Sequence, residues 1–337
     1  MTISVVGAGS WGTTLAKILG DNGQPTLLWA RHEELCREIN DGRENAKYLP
    51  GAKLAPCVEA TADLERACVS SPLILLVVPS HVLREVAHAM GDSLRGDQMV
   101  VHCTKGLEQG TLKRMSQVVR EETCVRKIGV LSGPNLSKEL AAGRPAGTLV
   151  ASPYDEVVRA AQTALTNSYF RVYGGSDVVG AEVGGAFKNV IALAAGMADG
   201  LGLGDNSKAF VVTRSLTEMA RLGAALGANW VTFGGLAGIG DLMATCFSPL
   251  SRNHQVGVRL AKGESLEQIQ TSMFMVAEGV KTTAALQPFV EARRLPMPIV
   301  EAVHSVLYQG VRIADALATL MAHPVDRELV DLAPAAM

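Results

Sequence analysis

A lysine inside an apolar, small-residue segment is the residue most in need of a chemical explanation. It stands in Glu182-Val183-Gly184-Gly185-Ala186-Phe187-Lys188-Asn189-Val190. Burying an ammonium among such neighbours is costly. A functional Lys188 explains the exception, because desolvation and nearby cations lower a lysine's pKa towards a range useful for proton transfer. The competing reading is a snorkelling lysine at the helix surface.

A second constellation lies at the N-terminus. An apolar strand runs directly into Gly7-Ala8-Gly9-Ser10-Trp11-Gly12 and then into a helix. This glycine spacing between a strand and a helix is the dinucleotide fingerprint. Gly7 permits the tight turn, Gly9 lets backbone approach a pyrophosphate, and Gly12 lets the helix sit close to the sheet. The helix start then offers unpaired N–H groups to phosphate. The next strand ends at Arg31-His32, where an NAD-only site usually carries an acid for the ribose 2′-OH. Arg31 and His32 instead suit a 2′-phosphate or the adenine face, which leans the cofactor towards NADPH, with NADH also admitted. A solvated arginine at a strand end is the alternative.

Other polar, glycine-rich stretches stand at strand ends or helix starts. Lys105, in Thr104-Lys105-Gly106-Leu107-Glu108, follows one strand, and Ser132-Gly133-Pro134-Asn135 follows the next; ligands bind at that edge of an open α/β sheet. Gly234-Gly235-Leu236-Ala237-Gly238-Ile239-Gly240-Asp241 implies backbone packed closely against something, with Thr245 beyond it. Arg252 and Asn253, in Ser251-Arg252-Asn253-His254, make an anion clamp at a helix start. Val276-Ala277-Glu278-Gly279 leads into another helix.

Strands and helices must position these groups. Ile3–Val6, Thr26–Trp29, Leu73–Val78, Met99–Cys103, Lys127–Leu131, Gly147–Ala151 and Tyr169–Val172 read as strands. Trp11–Asp21, His32–Asn40, Val82–Met90 and Tyr154–Thr166 read as intervening helices. Solidly apolar strands alternating with helices predict a largely parallel sheet covered on both faces. Beyond Asp177 the pattern is helical, over Val178–Asp199, Ser207–Leu226, Ser251–Ala261, Leu266–Thr271, Thr282–Ala292 and Ile299–Tyr308. The fold class is therefore an α/β Rossmann-type N-terminal domain, residues 1–178, followed by an all-α C-terminal domain, residues 179–337. The terminal Ala-Pro-Ala-Ala-Met reads as a frayed end.

The 337 residues suit two domains better than one. A formal net charge of -2 supplies no basic field for nucleic acid. No signal peptide is recognised, and the longest apolar runs are far short of the roughly 20 residues of a membrane span. The six cysteines form no CxxC pair and no metal-spaced cluster with histidine, so they read as reduced thiols in a cytoplasmic chain, with no metal site.

Taken together, GAGSWGTTLA, LWAR, VPS, TKGLE, SGPN, EVGGAFKNVIALAAGMADGLGLGDNSKA, TRSLTEMARLGAALG, TFGGLAGIGDLMATC, SRNHQVG and VAEGVKT resemble, in order from residue 3 to about residue 310, the bacterial NAD(P)-dependent glycerol-3-phosphate dehydrogenases. The resemblance implies a helical domain of the 6-phosphogluconate dehydrogenase type. It also implies reversible reduction of dihydroxyacetone phosphate to glycerol 3-phosphate with NADPH or NADH, a homodimer, and supply of the phospholipid backbone. The alternatives are another dehydrogenase of the same superfamily, acting on a β-hydroxy acid or ketoacid, and a catalytically inactive NAD(P)-binding protein. It makes Lys188 the proton-transfer residue; on the chemistry of the pair, Asp241 is expected to orient it. Lys105 falls at a position touching both cofactor and substrate, as does Arg252. Gly133, Asn135, Asp241, Ser251 and Asn253 fall at substrate positions. Ser10, Trp11, Arg31, His32, Tyr48, Ser137, Val276 and Glu278 fall at cofactor positions. The family usually has Ser or Thr where this chain has Asn135; an amide still donates and accepts hydrogen bonds.

Overall fold

The computed structural model describes residues 2–273 and 277–324. The sequence reading of Val276 and of the terminal residues lies outside that range. The chain divides into two compact units. The first runs to Lys105 and resumes over Lys113–Val178; the second takes Gly106–Leu112 and the chain from Val179 onward.

In the first unit eight strands form one sheet: β1 (Ile3–Val6), β2 (Thr26–Trp29), β3 (Val58–Thr61), β4 (Leu73–Leu76), β5 (Met99–His102), β6 (Lys127–Ser132), β7 (Ala146–Ala151) and β8 (Phe170–Gly175). Their order is β3-β2-β1-β4-β5-β6-β7-β8. Every pairing is parallel except β6 with β7, which is antiparallel. All four residues of β1 and of β4 are buried, the signature of central strands covered on both faces. One apolar cluster includes Leu15, Leu19, Leu28 and Leu75, and another includes Leu76, Leu83, Val86 and Met115. The strand order reverses between β1 and β4, so their carboxyl ends open the crevice in which such sheets bind ligands.

The strand reading omitted β3, a four-residue edge strand that carries an exposed Glu59 and so lacks a solid apolar run. It also omitted the short helices Leu64–Val69 and Met115–Glu122. Each is too short for a helical period to stand out in sequence.

From Val178 onward every described element of the second unit is a helix. Its central helix, Val178–Gly200, is buried continuously from Gly180 to Ala198. By length and composition it could cross a membrane, yet 89% of its apolar window is covered by protein. Val190, Ile191, Leu193 and Met197 pack with Met219, Leu222, Leu242 and Leu286 in one core, and Leu107 joins them. The helix expected from Thr282 begins at Glu278, and a helix over Ile313–Met321 was not anticipated from the sequence.

Candidate active site

The glycine fingerprint has the geometry its spacing requires. Gly7 sits at φ +120°, and a Cβ there would meet the Val77 carbonyl oxygen at 2.2 Å, just beyond β4. The turn is therefore wedged into the point where the strand order reverses. A Cβ on Gly12 would lie 1.8 Å from the Gly7 oxygen, so the helix Ser10–Asp21 folds back against its own entry turn. At Gly9, the helix N-cap, a Cβ would meet nothing within 4 Å, and no side chain caps the helix. Its first backbone donors are thus available to an anion, which is what a pyrophosphate needs.

A loop beyond the second helix braces this turn. Asn45, wholly buried, donates to the Ala8 carbonyl at 2.9 Å and to Thr13 Oγ1 at 2.8 Å, while its own oxygen accepts from the Tyr48 N–H at 3.2 Å. Ser10 Oγ donates to the Tyr48 carbonyl at 2.6 Å. Ser10 and Tyr48 are therefore joined, and Asn45 was missed because nothing local in its loop marks it. The Ser137 carbonyl accepts from Thr14 Oγ1 at 3.5 Å, which places Ser137 beside the same helix. Trp11 is partly buried and makes an edge-on contact with Phe170, ring centroids 6.5 Å apart. Arg31 and His32 are exposed at the carboxyl end of β2, with His32 at the N-cap of Glu33–Gly42.

At the ends of β5 and β6 a second polar cluster forms. Lys105 Nζ donates to the Gly133 carbonyl at 3.0 Å. Asn135 Nδ2 donates to Thr148 Oγ1 at 3.0 Å, and that hydroxyl donates to the Ser132 carbonyl at 3.1 Å. The Thr148 proton is committed, so Thr148 must accept from the Asn135 amide. This fixes the amide's orientation and leaves the buried Asn135 Oδ1 without a donor among the described residues.

The second unit carries its own cluster. Lys188 and Asp241 are 7% and 1% exposed and form an ion pair. Lys188 Nζ also donates to Thr245 Oγ1 at 2.8 Å, and that hydroxyl donates to the Asp241 backbone carbonyl at 2.6 Å. A buried charge is tolerated when it is paired and hydrogen-bonded in this way. Lys188 is therefore not a snorkelling surface lysine. Close approach makes the pair possible: a Cβ on Gly184 would meet the Ala237 carbonyl oxygen at 2.3 Å. The wide turn Leu236–Gly240 thus lies flush on the central helix one turn before Lys188 and feeds into the helix Asp241–Cys246. Thr245, singled out in the sequence beyond Asp241, lies one helical turn from it.

Ser251 Oγ caps the helix Arg252–Ala261 by accepting from the His254 N–H at 3.3 Å, and Arg252 is exposed at the helix's first position. Asn253 is differently engaged from a simple anion clamp. Its Nδ2 donates to Asn189 Oδ1 and its Oδ1 accepts from the Gly279 N–H, both at 2.9 Å. It ties together three helices, one of which begins at Glu278. The Glu278 carboxylate acts electrostatically on the Arg252 guanidinium. Among the described residues no group of three or more His, Cys, Asp or Glu side chains is placed to hold a metal. All six cysteines are free, and burial pushes the Cys68 and Cys246 thiols up to about 12, so they stay protonated.

A doubly wound sheet with a fingerprint turn at its switch point, joined in one chain to a helical unit with a buried lysine–aspartate pair, defines a dinucleotide-dependent dehydrogenase class. Comparison with known proteins narrows it. Residues 2–158 match the N-terminal and residues 177–318 the C-terminal model of NAD-dependent glycerol-3-phosphate dehydrogenase. Glycerol-3-phosphate dehydrogenase [NAD(P)+] of Bacillus thuringiensis (strain Al Hakam) is 47% identical over 322 residues, 95% of each chain. The crystal structure of glycerol-3-phosphate dehydrogenase from Coxiella burnetii superposes with a TM-score of 0.91 at 34% identity, covering 96% of this chain and 99% of that one. The enzyme from Saccharomyces cerevisiae does so at 0.84 and 27%, covering 95% and 99%. The chain belongs to the NAD-dependent glycerol-3-phosphate dehydrogenase family.

Proposed function

We propose that the chain reduces dihydroxyacetone phosphate to glycerol 3-phosphate, reversibly, with NADPH or NADH. The observation that carries the chemistry is the buried Lys188 ammonium, held by Asp241 and Thr245. The glycine turn, with Ser10, Trp11, Tyr48 and Ser137 around it, holds the dinucleotide, and Arg31 and His32 receive the adenosine end. Val276 and Glu278 are further cofactor contacts on this reading. When bound, the nicotinamide supplies or accepts the hydride. Lys188 gives a proton to the C2 oxygen during reduction and takes it back during oxidation, while Asp241 fixes the direction of its N–H bonds. Lys105 polarises that oxygen, with Gly133 and Asn135 as further substrate contacts. Arg252, presented by the helix that Ser251 caps and Asn253 anchors, binds the phosphate. Binding energy from this non-reacting end positions C2 for transfer.

The same reading makes the chain a cytoplasmic homodimer that supplies glycerol phosphate for phospholipid synthesis. Exposed apolar side chains of the helical unit, among them Trp230, Val231, Met243 and Phe247, offer surface for a second copy. The test is steady-state oxidation of NADPH and NADH with dihydroxyacetone phosphate beside small ketoacids, with size-exclusion chromatography for the dimer. Dihydroxyacetone phosphate is expected to be the preferred substrate with either cofactor; preference for a ketoacid would overturn the assignment. Arg31→Asp is expected to reduce use of NADPH relative to NADH, and an unchanged ratio would remove Arg31 from the cofactor site.

A further inference from the structure

The proposed function leaves one partly buried charge cluster of the helical unit without a role. Asp199 stands in the last turn of Val178–Gly200. An acid at the carboxyl end of a helix is disfavoured by the macrodipole, so its presence calls for a compensating partner. It has two. His254 Nε2 and Lys208 Nζ each lie 2.7 Å from Asp199 Oδ2. Lys208 comes from the helix Asp205–Leu226 and sits 5.2 Å from the centre of the Phe247 ring. The His254 and Lys208 side chains are 11% and 13% exposed and that of Asp199 27%, so the cluster is partly withdrawn from solvent.

The position of His254 gives the cluster its meaning, since it follows Arg252 and Asn253 in the first turn of Arg252–Ala261. That helix is laid closely on the central helix. A Cβ on Gly196 would meet the His254 carbonyl oxygen at 2.1 Å, and one on Gly257 would meet the Leu193 oxygen at 2.2 Å. Glycine contact fixes how near the helices approach but leaves rotation and sliding open. Two polar ties remove that freedom: Asn253 to Asn189 near Lys188, and His254 to Asp199 near the end of the central helix.

We propose that His254, held by Asp199, which Lys208 also pairs with, is a positioning residue for phosphate recognition, setting where the first turn of its helix presents Arg252. The inference rests on the reading of Arg252 as the phosphate-binding residue. His254 touches neither phosphate nor reacting atoms; it acts through Arg252, and a displacement of about 1 Å in such a clamp is enough to weaken productive binding.

The experiment compares kcat/KM for dihydroxyacetone phosphate and for unphosphorylated dihydroxyacetone in the full chain and three variants. His254→Ala is expected to lower kcat/KM for the phosphate ester roughly tenfold, mainly through KM. The unphosphorylated ketone should change less than about twofold on the same argument. His254→Gln keeps an N–H donor near the Nε2 position and should restore most of the loss, and melting temperatures report how far each variant is destabilised. Parallel loss on both ketones, or no loss on either, would overturn the inference, because a merely structural role does not distinguish them. Arg252→Ala separates the two levels. If it abolishes the preference for the phosphate ester while His254→Ala does not, only the positioning role fails. If it leaves that preference intact, the phosphate-binding reading fails and the positioning role falls with it.

Discussion

Glu218 is the place to perturb the helical unit through pH. It is 2% exposed, and its two carboxylate oxygens accept from the Ile299 N–H at 2.8 Å and the Val300 N–H at 3.2 Å. It therefore caps the N-terminus of the helix Pro298–Tyr308 from a neighbouring helix. Burial pushes its pKa up, the two backbone N–H groups and Arg221 pull it down, Glu301 pushes it up, and the outcome is about 8 against an ordinary 4.5. Below about pH 4.5 the group is protonated in folded and unfolded chains alike and contributes no pH dependence. Between there and pH 8 the unfolded chain has released the proton while the folded chain retains it, so stability falls as pH rises. At about 1.36 kcal/mol per unit of pH, the loss across that window is on the order of 5 kcal/mol. Glu218→Gln removes the titration and keeps one acceptor for the cap, although its NH2 now faces the second backbone donor. The assay is thermal or urea unfolding of both proteins from pH 5 to 9, followed by far-ultraviolet circular dichroism. Near pH 5 the natural protein should match or exceed the variant, and by pH 8.5 the variant should be the more stable by several kcal/mol. Stability curves that stay parallel across the range would refute the reasoning.

Gly12→Ala places a methyl group against the Gly7 carbonyl and forces the helix off its turn. It is expected to destabilise the first unit by about 1–3 kcal/mol and to abolish measurable NADPH binding by fluorescence titration. Asn45→Ala removes three hydrogen bonds from the loop that braces the same turn. It should lower stability by about 1–3 kcal/mol and raise the dissociation constant for NADPH, with kcat at saturating cofactor little changed.

The parts of this molecule that sequence reveals are those whose cause is local. Gly7, Gly9 and Gly12 are legible because a strand, a tight turn and a helix lie within a dozen residues, and the buried strands because both faces are covered. Lys188 stands out because a charged residue breaks a continuous apolar stretch. What sequence hides is set by distant partners. Asn45 braces Ala8 and Thr13 from across a loop. Thr148 decides which way Asn135 turns its amide. Asn253 read as an anion clamp, and only the packing of three helices reveals that its side chain joins Asn189 to Gly279. The strand β3 and the helix Ile313–Met321 went unread because their stability comes from neighbours rather than from a strong pattern of their own.

The central claim is that Lys188 moves the proton, and turnover of Lys188→Ala with dihydroxyacetone phosphate at saturating NADPH tests it most directly. The variant should bind NADPH with an unchanged dissociation constant and lose about 10²–10⁴-fold in kcat, the usual contribution of a positioned acid–base group. A kcat within a few-fold of the natural protein would contradict the account.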